Sequence, residues 1–222
     1  MKNIDFARDD ADLYPLLQQA TDEEKAFLAE IVSSKYSAGI TKDERCPLKL
    51  TMELQSMGGD SVMNLFRRRG VQYRQIVADV ASKVAVENES RDDLMKIEEK
   101  IAEKVITDYK NKLSDSERAE FEQILRENLA DQKRRMGIKN AAARGVGGIT
   151  PALLAVGGFI LQRGAIAAIP VAGQFLGILT GVIGIIFAFT GTAYSVTVPA
   201  VLVIGSIRAR LAAEQFAAEV DL

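Results

Sequence analysis

The chain has 222 residues, a formal net charge of −2, one cysteine, and no histidine or tryptophan. The near-neutral balance excludes a whole-molecule electrostatic nucleic-acid binder. Without histidine there is no Ser-His-Asp triad, no Cys-His pair and no histidine metal site. A lone Cys46 leaves no disulfide within one chain and reads as an ordinary residue beside the turn at Pro47. The opening MKNIDFARDDADLY lacks the apolar stretch of a secretory signal, so the expected compartment is cytoplasmic.

In chain order, the first part reads as a run of short to medium helices. Thr21 followed by Glu24 is a capping-box pattern, with Phe27, Leu28, Ile31 and Val32 as the stripe behind it. Gly39 ends that unit. Pro47 suits a first helical turn, and Leu48 to Met57 follow. Gly58-Gly59 is a stop and Asp60 a cap. A short helix then carries Val62, Leu65 and Phe66 to Arg69, and after Gly70 a further helix runs from Val71 to Val86. Ser90 with Asp93 opens a longer helix, buried along Leu94, Ile97, Ile101, Val105 and Tyr109. Ser114 with Glu117 caps the next, whose stripe is Phe121, Ile124, Leu125 and Leu129. These two helices are expected to pair antiparallel around a turn at Lys112–Ser116.

Composition then changes sharply. Residues 1–144 are dense in charge, whereas from Gly145 to Ile207 the only charged residue is Arg163. Pro151, Pro170 and Pro199 divide this block into segments 146–161, 165–190 and 194–207, followed by Arg208, Arg210 and a short amphipathic tail. The β-branched residues at Ser195–Val198 favour a strand, but the sequence offers no strand to pair with it. The expected class is therefore all-α: a multi-helix bundle (1–144) with a glycine-rich hydrophobic helical hairpin (145–222). On this division residues 1–140 fold alone.

The stretch Gly164–Ile207 is long enough for two spans of about 20 residues. Gly173, Gly177 and Gly181, spaced by four, place a flat packing face on one helix. The alternative is a glycine-rich helix permanently buried in a soluble fold. Two facts weigh against insertion: segment 146–161 is short for a span, and Arg163 at mid-bilayer would cost ~2.5–3.5 kcal/mol. Arg208 and Arg210 close the apolar block as cations at its far end, which puts both flanks on one side and predicts a hairpin with its tip near Arg163–Pro170 or Gly191. At such a tip the charge of Arg163 reaches the interface. Lys133, Arg134, Arg135, Lys139 and Arg144 lead into the block as a basic run suited to docking on an anionic lipid membrane. Its plainer reading is a solvated helix end whose cations complement the dipole. Arg67, Arg68 and Arg69, with only Tyr73 near, read as a solvated surface or an anion contact, so no nucleic-acid partner is expected. GVGGIT lacks the lysine of a phosphate loop, and no cofactor, metal or enzyme chemistry is expected.

Two stretches, ELQSMGGDSVMNLFRRRGVQYRQIVADVASKVAV (53–86) and GTAYSVTVPAVLVIGSIRARL (191–211), resemble the YaaW family, also called UPF0174. DLYPLLQQATDEEKAFLAEIV and LSDSERAEF add weaker similarity, including to a DUF3944-type N-terminal segment. The resemblance implies an α-helical protein, distantly grouped with ubiquinol–cytochrome c chaperones, and supplies no catalytic residues. This chain departs from the family in being more strongly apolar in the middle of the block. The first functional expectation is a membrane-inserting, pore-forming or membrane-perturbing protein that shields an apolar hairpin in its soluble form. It would be cytoplasmic, associate with the inner membrane and be able to self-associate. The others are an inner-membrane or membrane-peripheral protein of assembly or stress type, and a soluble chaperone-like interaction module.

Overall fold

Local signals place the helices of the first half much as patterning demands. In a computed structural model of the chain, residues 2–33, 40–57, 70–87, 93–135, 152–157 and 194–220 are described. Regular structure among them is all helical: α1 (Lys2–Arg8), α2 (Tyr14–Gln19), α3 (Asp22–Val32), α4 (Pro47–Met57), α5 (Tyr73–Lys83), α6 (Leu94–Lys110), α7 (Asp115–Arg135), a short stretch at 152–157, and α8 (Tyr194–Val220). Arg163, Pro170, Lys139, Arg144, the Gly173–Gly177–Gly181 series and the short helix expected before Gly70 lie outside the described residues.

The capping box at α3 forms in full: Glu24 N–H donates to Thr21 Oγ1 (3.2 Å) and Thr21 N–H donates to Glu24 Oε2 (2.8 Å). At α6 the cap is Asp93, whose carboxylate accepts from Met95 N–H at 3.1 Å. At α7 the box is half made, because Ser114 Oγ donates to Glu117 instead of accepting the Glu117 amide. α5 stops at Lys83, short of Val86, because Ala85 takes a left-handed φ of 58° and Val86 N–H closes back on Ala81 O (2.8 Å). Gly70 lies where a Cβ would stand 2.8 Å from Gln55 Cβ, and this contact lets Val71 N–H reach Gln55 O.

The C-terminal part departs most from the expected pattern. Segment 194–207 and the tail are one helix of 27 residues that continues through Pro199. Neither the β-branched run nor the proline breaks it. A proline inside a helix costs ~3 kcal/mol. Against that, every residue from Val196 to Ile207 is buried, and each large apolar side chain buried contributes ~1.5–3 kcal/mol. Burial wins. A helix buried all round needs neighbours all round, and α8 packs on α3, α4, α5 and α6.

One apolar cluster accordingly joins the two compositional halves. Leu17, Leu28, Leu50, Leu54, Ile76 and Ile101 meet Leu153, Val201, Ile204 and Ile207 in a single core. Among the described residues the core runs across the change in composition at residue 144. A fragment ending at residue 140 is therefore expected to keep helical circular dichroism but to melt broadly, having lost α8. A sharp melt like that of the full chain would show that the remaining helices need no α8.

Candidate functional site

The chemistry-bearing residues converge where α8 leaves the core. Arg208 and Arg210 are two apart, so they point to nearly opposite sides of the helix. Each meets a glutamate buried on another element.

On one side, Arg208 Nε donates to Glu98 Oε2 at 2.9 Å, and Arg208 Nη2 donates to the Asp12 carbonyl at 2.8 Å. Glu98, on α6, has no exposed surface. Its second oxygen accepts from the hydroxyl of Tyr73 at 2.7 Å, and the Arg208 guanidinium sits 6.0 Å from the centre of the Tyr73 ring. Gly205 makes room for the carboxylate: a Cβ there would lie 3.1 Å from Glu98 Cβ and 2.9 Å from Leu153 Cδ2. Asp10 completes the arrangement, accepting from Gln55 Nε2 (2.9 Å) and Tyr73 N–H (2.8 Å). Asp12 also pairs with Arg74 at 3.3 Å. The α1–α2 connection is thereby tied to α4, α5 and α8.

On the other side, Arg210 Nε and Nη2 donate to the two oxygens of Glu24 at 2.7 and 2.8 Å. This is a bidentate, charge-assisted pair. Arg210 Nη1 also reaches both oxygens of Glu214 at 2.9 Å. Glu24 thus caps α3 and clasps α8 with one carboxylate.

Electrostatics follow from burial. Removal from water pushes the Glu98 carboxyl above its ordinary value of 4.5, a rise that the charge of Arg208 and the hydrogen bonds from Tyr73 and Arg208 oppose without cancelling. Burial first, then the Glu98 charge, hold the Tyr73 hydroxyl well above its usual range, so it remains a neutral donor. The cluster has no nucleophile beside a base. Among the described residues no three His, Cys, Asp or Glu side chains gather to hold a metal ion. What it can do chemically is fix helices in register.

The positions singled out from sequence fall elsewhere. Arg134 and Arg135, at the exposed end of α7, share Asp131 at 3.8 and 2.8 Å, while Lys133 beside them is half-buried. Arg208 and Arg210, read from sequence as cations closing a lipid-facing segment, are instead partners of buried carboxylates. Glu98 and Tyr73 were missed: by spacing, the pair Glu98-Glu99 looks like exposed helix charge. The one available signal was that Glu98 falls beside Ile97 and Ile101 on the buried stripe.

One described helix, Val196–Glu219, is long and apolar enough to cross a membrane, and 78% of its most apolar window is buried inside the protein.

Comparison with known proteins gives relatives over most of the chain. It is 29% identical over 176 residues to the UPF0174 protein YaaW of Escherichia coli strain K12, spanning 73% of this chain and 71% of that one. A UPF0174 protein of Helicobacter pylori strain J99 is 27% identical over 222 residues, spanning 89% and 85%. Another, from H. pylori strain 26695, is 28% identical over 191 residues, spanning 76% and 90%. No family model and no solved structure matches.

Removing one partner of a buried pair typically costs ~3–5 kcal/mol, whereas replacing both with apolar groups is often neutral. Arg208→Met is therefore expected to lower the urea midpoint strongly, and Glu98→Leu/Arg208→Met to recover much of the loss. A double variant as unstable as the single one would contradict this. pH adds a second check. Because the folded-state pKa of Glu98 is raised, the folded chain binds this proton more tightly than the unfolded chain. Its stabilising contribution is complete below the ordinary value of 4.5 and is lost as pH rises through the raised value. Relative to Glu98→Gln, the wild type is expected to lose stability over that rise. A parallel pH dependence of the two proteins would refute it.

Proposed function

We propose that this chain, which belongs to the UPF0174 family, is a membrane-inserting helical protein whose bundle stays folded while the charge-free stretch before α8 enters lipid. The observation that carries this reading is the position of α8 within the run Gly164–Ile207. Its closing part, 194–207, is taken up as the core of the bundle, and the arginines beyond it are engaged within the protein. Residues 164–193 form a continuous uncharged segment of 30 residues between Arg163 and α8.

The described residues on either side of that segment are anchored. Leu153 and Leu154 are buried, with Leu153 in contact distance of Gly205, and α8 is clasped. The segment therefore enters and leaves the bilayer on the same face. Thirty residues are too few for two spans of about 20, so the inserted part is a re-entrant hairpin and not a pair of full crossings. Arg163 sits at its start, where the charge stays at the interface. Gly173, Gly177 and Gly181 supply a face for close contact between copies, which makes a membrane-perturbing oligomer the next step of the same reading. Docking falls to Lys133, Arg134, Arg135, Lys139 and Arg144. Exposed pairs such as those to Asp131 are worth ~0.3–0.5 kcal/mol, less than the ~1 kcal/mol per cation gained at an anionic surface. The protein would be cytoplasmic and reach the inner membrane from that side.

A second reading is a soluble or membrane-peripheral assembly protein without pore activity. The burial of α8 favours it, since a core helix of a soluble protein passes the same length and apolarity test.

Flotation with vesicles decides between the two. The full chain is expected to float with anionic vesicles and resist a carbonate wash. Reversal of Lys133, Arg134, Arg135 and Lys139 to glutamate should weaken that binding and spare any binding to neutral vesicles. Recovery of the wild type wholly in the soluble fraction would leave the assembly-protein reading. Gly177→Leu tests the glycine face: lost dye leakage at unchanged melting supports contact between copies, and leakage equal to wild type rejects it.

A further inference from the structure

α7 is the long helix least committed to the bundle. Of its 21 residues only Phe121, Asn128 and Gln132 are buried, whereas α6 buries seven of 17. Two of the three are polar. Asn128 is 1% exposed, and both its side-chain nitrogen and oxygen lack a hydrogen-bond partner. A buried amide in this state favours any conformation that returns it to water.

The buried face of α7 follows the apolar stripe only in part. Phe121 is buried and Leu129 packs against the core, but Ile124, Leu125 and Leu129 are only half-buried, and Asn128 and Gln132 take the other buried positions. Its ties to α6 sit beside the connecting turn: Phe121 meets Tyr109 edge to face at 4.8 Å, Glu122 pairs with Lys110, and Arg118 Nε donates to Lys110 O. The interactions that hold the helix itself are local and travel with it: Ser114 with Glu117, Gln123 with Glu127, and Arg135 with Asp131. At 21 residues it is long enough to persist once detached.

We infer that α7 undocks from the bundle as an intact helix, pivoting at residues 111–114, and that the unpaired Asn128 sets how readily it does so. Resting on the membrane reading above, this motion gives the basic end of α7, and the chain that follows, a reach of about 30 Å from the pivot toward a bilayer.

Hydrogen exchange on the full chain tests it. Amides of 121–132 are expected to exchange faster than those of 97–109 and 200–207. Asn128→Leu, alike in branching and heavy-atom number and without the unmet polar atoms, should slow exchange in α7 by roughly tenfold, leaving α6 and α8 unchanged. Asn128→Asp should quicken it in α7 alone, which keeps the test open if the leucine variant misfolds. Equal protection of the three helices in the wild type, or no response to either substitution, overturns the inference. The vesicle arm is separate: Asn128→Leu should bind anionic vesicles more slowly than wild type. A wild type that ignores vesicles removes the membrane reading while exchange still decides the undocking. A slowed exchange with unchanged vesicle binding removes the link between the two.

Discussion

Two ion pairs fix the position of α8, and the rest of the bundle is arranged around that helix. Twelve consecutive buried residues from Val196 to Ile207 would satisfy many rotations and shifts of a greasy cylinder. Hydrophobic burial is non-directional and does not choose among them. Arg208 and Arg210 do choose. Sliding α8 by one residue would leave Glu98 buried without its guanidinium, a penalty of several kcal/mol. The same slip would separate Glu24 from Arg210, and Gly205 would no longer face the Glu98 side chain. The pairs add little net stability over apolar replacements; what they supply is register.

That arrangement changes what the apolar half of the chain can do. A helix locked between α3 and α6 is a poor candidate for leaving the protein, however well its length suits a bilayer. On the membrane reading proposed above, lipid contact would fall to the uncharged residues ahead of it, with the clasps on α8 as the anchor. Among the described residues, the first compositional half supplies solvent-facing helices and α8 the helix that they enclose.

Much of this was legible in the sequence where a local signal exists. The Thr21–Glu24 box, the start of α4 at Pro47 and the α6 stripe through Ile97, Ile101 and Tyr109 all rest on neighbours within a few residues, and all are present. The helical class follows from the same periodicities. α8 was harder. Its β-branched residues and Pro199 are unfavourable locally, and only tertiary burial overrides them. The pairing of the clasps was not legible, since Glu24 and Arg210 lie 186 residues apart; only the place of Glu98 on the buried stripe hinted at one partner. Arg208 and Arg210 looked like the polar end of a span for the same reason: sequence gives a charge but not its partner.

The central claim is that α8 lies inside the bundle with its arginines on buried glutamates while the protein is in water. A double-mutant cycle on Glu24 and Arg210, read from urea midpoints of the full chain without lipid, tests it most directly. The bidentate pair should show a favourable coupling in the range of ~0.5–3 kcal/mol typical of residues in contact. Additive effects of Glu24→Gln and Arg210→Gln, with no coupling, would mean that α8 is not held where the structure puts it.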